Sequence, residues 1–280
     1  MKHKKLTEKQ HSYINMIIGI IIIGIFLFPL YWMVTTSIKP AGESFKAPTL
    51  FPKEISFDSF VFENEHGVTL LTYLKNSTIV AIGTTLITML LGVPASYGLA
   101  RFKSKFNSYL LLIFLVAQMM PSSLILTPLF INFKKLSLLN NYLGVILADA
   151  TLTIPFVVVI LRSYFKDVPK ALEEAALIDG CGPLRTFLKI MIPMSKSGFV
   201  VSLAMSAFMS WGDMVFSLTF LTEEKMKTLS LILYKAMGEL GVRWEILMAY
   251  ATIVVIPIVV VFVLLQKQIV GGLTEGSVKG

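Results

Sequence analysis

The chain has 280 residues, of which 55% are hydrophobic and 15% charged, with a formal net charge of +8 and a mean hydropathy of +0.75. A soluble domain carries about 25% charged residues, so this composition excludes an ordinary water-soluble fold and points to an all-α integral membrane protein. The single cysteine, Cys181, excludes an intrachain disulfide, the scattered His3, His11 and His66 offer no metal cluster, and no basic stripe with interleaved aromatics speaks for nucleic acid.

Six apolar spans are predicted in chain order, at 14–36, 77–100, 108–131, 142–161, 199–221 and 246–266. Before the first lies an amino-terminal tail, 1–13, with Lys2, Lys4, Lys5 and Lys9. That arrangement resembles a secretory signal, but the apolar run from Met16 to Val34 is longer than a signal core and no small-residue cleavage site follows it. A retained first span is expected. A long loop, 37–76, follows, punctuated by Pro40, Pro48 and Pro52. The core of five further spans covers 77–266, with a polar loop at 162–198, and a tail at 267–280 ends the chain. Pro29, Pro94, Pro121, Pro128, Pro155 and Pro257 lie in or near spans, which membrane helices tolerate.

Charge orients these spans. The two tails, the loop with Arg101, Lys103 and Lys105, and the 162–198 loop carry fifteen of the 25 Lys and Arg residues against six acids. The opposite side carries ten against nine acids. The basic side is expected to be cytoplasmic, so both termini lie inside, and the short basic loop after the second span is the strongest indicator.

The loop at 162–198 reads as a helix, a hinge and a second helix. Asp167 is a cap candidate, Pro169 suits a first turn, and Ala171 to Ala176 are mostly helix formers. Gly180 stands where a left-handed stop is needed. After Gly182-Pro183, the residues Leu184, Phe187, Leu188 and Met191 recur as an apolar stripe, and Pro193 is expected to end that helix. Ala175 and Ala176 permit close approach, and Glu173 and Glu174 offer carboxylates to a partner's Arg or Lys. From the residues alone, a docking surface and an ordinary solvated amphipathic loop both remain open.

Glu174-Ala175-Ala176, three residues, Gly180, nine residues, Ile190, one residue, then Ile192-Pro193 resembles the "EAA" loop of bacterial ABC-importer permeases. That family usually has Leu where Ile192 stands. Pro29-Leu30-Tyr31-Trp32, Thr36-Ser37-Ile38-Lys39-Pro40, Ala95-Ser96-Tyr97-Gly98-Leu99-Ala100-Arg101-Phe102 and the tail from Gln266 to Thr274 with Gly276 to Gly280 extend the resemblance to the MalG-like carbohydrate permeases. Trp211-Gly212-Asp213 falls where such permeases tend to have Trp-Asn-Glu, and Gly212 departs from it.

The resemblance implies a type I ABC importer fold in the bacterial inner membrane, a homologous second permease as heterodimer partner, two copies of a cytoplasmic ABC ATPase, and an extracellular solute-binding protein that delivers a sugar or oligosaccharide. It implies that Glu173, Glu174, Ala175, Ala176, Asp179, Gly180, Ile190 and Pro193 form the ATPase-coupling site. It also implies that ATP and Mg belong to the partner subunits, with no cofactor and no catalytic step in this chain. The absence of G-x-x-x-x-G-K-[ST], H-E-x-x-H, G-x-S-x-G and C-x-x-C agrees.

Asp149 and Asp213 fall within predicted spans, where a charge is expensive and a functional role is the default. A substrate acceptor, a proton site and a hydrogen-bonded structural acid are all open. Trp211 and Tyr97 suit sugar stacking or the membrane interface. Gln118, beside Met119 and Met120, is a further pathway candidate or a packing residue. An ion-coupled secondary transporter using the two aspartates is the competing class, although no clear repeat or paired broken helices support it. A polyamine permease would share the loop but not the tail.

Overall fold

Inside a bilayer the backbone must satisfy its own hydrogen bonds, which leaves helices as the local solution for a chain this apolar. A computed structural model of the protein describes residues 8–40, 42–43, 49–61, 67–102, 104–237 and 243–275. The tail residues Lys2, Lys4 and Lys5, then His3, His66, Lys103 and the stretch 276–280, lie outside the described residues. The helices are α1 (Glu8–Ser37), α2 (Leu70–Arg101), α3 (Asn107–Met119), α4 (Ser122–Lys135), α5 (Tyr142–Asp167), α6 (Lys170–Ile178), α7 (Pro183–Met194), α8 (Lys196–Trp211), α9 (Val215–Phe220), α10 (Ser230–Ala236) and α11 (Trp244–Glu275). Among the described residues, α1, α2, α5 and α11 hold stretches long and apolar enough to cross a membrane. Two bent pairs, α3 with α4 and α7 with α8, raise the number to six if each pair is one span.

The chain divides into two compact units, Met1–Phe62 with Leu233–Val255, and Glu63–Ile232 with Ile256–Gly280. In the first, α1 leads into a segment folded back on its own end. Tyr31 donates to the Leu50 carbonyl at 2.8 Å and the Ser56 N–H to Ile38 at 2.9 Å. Lys39 is buried, its ammonium 2.7 Å from the Thr49 carbonyl and 4.9 Å from the centre of the Trp32 ring. A cation held by a carbonyl and an aromatic face is a workable burial.

The second unit is built on α2, α5 and α8, which pack closely through small residues. Gly83 faces Ile146, Gly92 faces Val157 and Gly198 faces the Tyr164 ring. Gly198, Ser202, Ser206 and Ser210 recur every fourth residue on α8, and all four are buried. Without hydrophobic drive between helices in lipid, such small stripes supply close van der Waals contact. Two apolar clusters flank this seam. One gathers Val80, Phe133, Val145, Ile146, Phe216 and Phe220; the other gathers Met89, Val93, Val157, Leu161, Phe165 and Phe187. At the first end, Asn140 fixes the segment after α9: its N–H donates to Phe220, and its Oδ1 accepts from Thr222 N, Thr222 Oγ1 and Glu223 N. Its φ of 51° is one that Asn tolerates.

The third predicted span is not one straight helix. It breaks at Met120–Pro121, and α3 and α4 bend by 98°. Pro121 has no N–H to continue the ladder and holds Met120 extended, at φ −77° and ψ 123°. The fifth predicted span is likewise divided. Its helix begins at Lys196 after an 81° bend, stops at Trp211, and a separate short helix, α9, follows. Asp213 starts that helix by accepting the Phe216 and Ser217 N–H groups at 3.2 and 2.9 Å.

In α5, Gly144 packs against the backbone of the turn that precedes the helix. A Cβ there would overlap the Leu138 backbone oxygen, which cannot rotate away. Gly144→Ala is therefore expected to destabilise the purified protein by about 1–3 kcal/mol. Gly24→Ala, with nothing within 4 Å, is expected to leave stability unchanged. Thermal unfolding in detergent compares the two, and equal midpoints would refute the close approach.

Candidate functional site

The loop between α5 and α8 is shaped by its two prolines and its glycines. Val168, ahead of Pro169, is extended at ψ 124°, so α5 ends at Asp167. Asp167 thus closes α5 instead of capping α6, and Pro169 occupies the cap position of α6 rather than its first turn. Gly180 adopts φ +79°, with its N–H on the Leu177 carbonyl at 3.1 Å and the Cys181 N–H on Ala176 at 2.9 Å. These are the paired bonds of a left-handed helix stop, and only glycine takes that conformation without strain.

In α7 the residues Phe187–Met191 form a π-helical turn. Pro193 has no N–H for the Lys189 carbonyl and its ring would crowd it, and a wider turn relieves that clash. Pro193 therefore sits inside the last turn, and the bend comes at Ser195. The widened turn splits the predicted apolar stripe. Phe187 and Met191 are buried, whereas Leu184 and Leu188 are 68% and 52% exposed.

Glu174, Ala175, Asp179 and Gly180 are exposed on α6 and its stop, Ala176 is buried, Ile190 is half-buried and Pro193 is exposed. Ile178 is 87% exposed and Leu177 is also exposed. The loop thus offers exposed apolar side chains edged by carboxylates, a composition typical of a protein-docking surface.

Glu173 has a different place. Its carboxylate is paired with Nε of Arg101, the last residue of α2, and both side chains are largely buried. The same guanidinium donates through Nη2 to the Val168 carbonyl at 2.8 Å and lies 3.8 Å from the Met191 sulfur. One side chain therefore ties α2 to the end of α5, to α6 and to α7. Arg162 adds a bond from α5 to the Leu99 carbonyl at 3.3 Å. Beneath the loop, Tyr97 packs on Phe187 and Phe165, with ring centroids 4.7 and 5.7 Å away. The expected offer of the Glu173 carboxylate to a partner is thus met within the chain. In the sequence Arg101 stands out as a topological charge and as part of the Ala95–Phe102 stretch, with nothing to pair it with Glu173.

The remaining polar candidates lie elsewhere in the second unit. Asp149 on α5 is buried, its Oδ2 accepting from Ser210 Oγ of α8 at 2.6 Å, and the same serine hydroxyl lies 3.1 Å from Thr84 Oγ1 of α2. Thr153 continues the seam to Thr88 at 2.6 Å. Asp213 is spent on α9, and its carbonyl accepts from Ser230 at 2.6 Å. Trp211 is buried on the wall of an apolar groove of about 560 Å³, with Ile82, Phe208 and Pro257. Gln118 is exposed at the end of α3, next to the break. Tyr97 belongs to the loop end. Ser210 and Thr84 went unnoticed in the sequence, where serine and threonine carry no signal of their partners. Among the described residues no group of His, Cys, Asp and Glu could hold a metal ion.

Residues 88–274 match the family described as binding-protein-dependent transport system inner membrane component. The probable ABC transporter permease protein YurM of Bacillus subtilis is 35% identical over 253 residues, covering 90% of this chain and 84% of that protein. The diacetylchitobiose uptake system permease protein DasC of Streptomyces coelicolor is 31% identical, covering 95% and 96%. A chain in the crystal structure of a bacterial ABC transporter involved in importing the acidic polysaccharide alginate superposes with a TM-score of 0.76 at 20% identity, over 95% of this chain and 99% of that one. The fold is that of a type I importer permease.

Arg101→Ala leaves the Glu173 carboxylate without its counter-charge and the Val168 carbonyl without its donor. The expected loss is about 3 kcal/mol of stability. Arg101→Lys is expected to recover only part of it, because an ammonium cannot reproduce the fork of donors. Thermal unfolding of the two variants, with Arg101→Ala/Glu173→Gln as the compensated pair, checks this, and a double variant no better than the single would refute the pairing.

Proposed function

The chain belongs to the family of binding-protein-dependent transport system inner membrane components, and from that premise we propose that it imports a sugar or oligosaccharide as one permease subunit of an ATP-driven importer. The observation that carries the reading is the α6–α7 surface, exposed and apolar outward and anchored inward on α2 by Arg101. The carbohydrate assignment is supported by the uptake system named for the relative DasC.

In this reading α6, with Glu174, Ala175, Asp179 and Gly180, seats in a cleft of a cytoplasmic ATPase, and Glu174 meets its basic residues. Closure of two ATPase copies displaces α6. The displacement reaches α2 through Glu173 and Arg101, α5 through Val168, and α7 through Met191 and the rings around Tyr97. Because the helices pack rigidly through small residues, the shift moves whole helices instead of dissipating locally. Ile190 and Pro193 set the end of α7 against α8. A homologous second permease supplies the other half of the pathway.

ATP and Mg are held by the ATPases, and no catalytic step falls to this chain. A solute-binding protein delivers the substrate on the opposite side. Both termini are cytoplasmic, on the basic side of the membrane. In this reading Gln118, exposed at the α3–α4 break, lines the pathway; Asp149 holds helices together; Asp213 and Trp211 shape the end of α8.

Glu174→Lys reverses a charge at the docking face, and Gly180→Pro removes the left-handed stop. Each is expected to lower ATP-driven sugar uptake about tenfold or more, the scale of one charge-assisted contact, while membrane insertion persists. Uptake into vesicles carrying the ATPase and binding protein is the measurement. Normal uptake by either variant would overturn the coupling site, and uptake that continues on an ion gradient after ATP depletion would overturn the importer class.

A further inference from the structure

Where α2 and α5 end, their last turns and the start of α3 enclose an open pocket of about 660 Å³. Five cations line it: Arg101, Lys105, Arg162, Lys166 and Lys170. Among the described residues no acidic one does. Arg101 is neutralised by Glu173, and Arg162 spends its Nε on the Leu99 carbonyl. Lys105, Lys166 and Lys170 are exposed. Like charges gathered in one concavity repel, and the arrangement becomes favourable when an anion occupies it.

The position of the pocket narrows the choice of anion. It sits at the end of two helices long enough to cross a bilayer, so a bilayer spanned by them brings its headgroups to this end of the bundle. Its other walls are apolar at Leu99, Ala100 and Phe102. From its rim runs α3, which buries none of its residues and exposes Tyr109, Leu112 and Ile113. An anion with two acyl chains would match both features, the phosphate among the lysines and the chains along α3. A soluble anion would use the cations and leave the apolar track without a role.

We propose that this pocket binds the phosphate headgroup of an anionic phospholipid, with Lys105, Lys166 and Lys170 as its ligands and α3 as the bed for its chains. Lys170 is the first residue of α6, so the site borders that helix at the end away from Asp179 and Gly180, and it does not depend on which solute the protein carries or on which side of the membrane is cytoplasmic.

The full chain is placed in nanodiscs of phosphatidylcholine with increasing phosphatidylglycerol, and retained lipid is counted by native mass spectrometry. Wild type is expected to retain phosphatidylglycerol over phosphatidylcholine. Each lysine near an anionic surface contributes a factor of about five, so Lys105→Gln/Lys166→Gln is expected to weaken retention about twenty-five-fold. Lys134→Gln/Lys135→Gln, in the last turn of α4, removes equal charge elsewhere and is expected to change nothing. Equal retention by the pocket variant and wild type overturns the site. Equal loss in the α4 variant overturns it in favour of a general lipid annulus, and displacement by millimolar inorganic phosphate overturns it in favour of a free-anion site. If the pocket variant loses an acidic protein partner while keeping its lipid, the patch faces that protein and the proposal fails. Should the variant not fold, the wild-type melting temperature decides: a rise with phosphatidylglycerol but not phosphatidylcholine supports the site, and no rise refutes it.

Discussion

Arg101 stands at the last turn of a membrane helix and meets three segments that are distant in sequence: Val168, Glu173 and Met191. A guanidinium suits this because its donors point in fixed, different directions and it stays charged. Largely buried, it could not rest there without its carboxylate, nor could the carboxylate rest without it. The mutual need keeps the loop seated on the membrane core. The Tyr97, Phe165 and Phe187 rings then fill the space beneath, so the polar link is surrounded by rigid aromatic packing.

Deeper in the same unit, helix contact depends on small residues and hydroxyls. Gly83, Gly92 and Gly198 let neighbouring helices approach, and the Ser210 hydroxyl joins the Asp149 carboxylate of one neighbour to the Thr84 hydroxyl of another. In hydrocarbon an unpaired carboxylate would be expensive, so this cluster fixes the relative register of α2, α5 and α8 as firmly as it joins them. The two ends of the bundle are sealed differently, by apolar clusters at each and by the Asn140 carbonyl at one.

Much of this was legible in the residues. The apolar runs located the spanning segments, Gly180 marked a left-handed stop, and the spacing from Glu174 to Pro193 singled out the loop. What escaped was long-range or depended on local backbone strain. Nothing near Arg101 in the chain points to Glu173, because the two are joined only by the way α5 returns alongside α2. Pro121 was visible, but whether a membrane proline bends a helix slightly or breaks it depends on neighbours that supply its missing bonds. Pro193 reads as a terminator in the sequence, whereas the preceding turn widens to accommodate it. The stripe of Leu184, Phe187, Leu188 and Met191 assumed a constant period, and the π turn altered that period within it.

That wide turn has an evolutionary corollary. An ordinary helix would carry all four side chains on one face, and any change would be felt both by the membrane core and by whatever meets the loop. Here Phe187 and Met191 answer to the core, while Leu184 and Leu188 answer to the outside. The outward pair can drift with a changing partner, one substitution at a time, without forcing compensations inside. A single irregular turn thus lets recognition and architecture diverge at separate tempos along the same dozen residues.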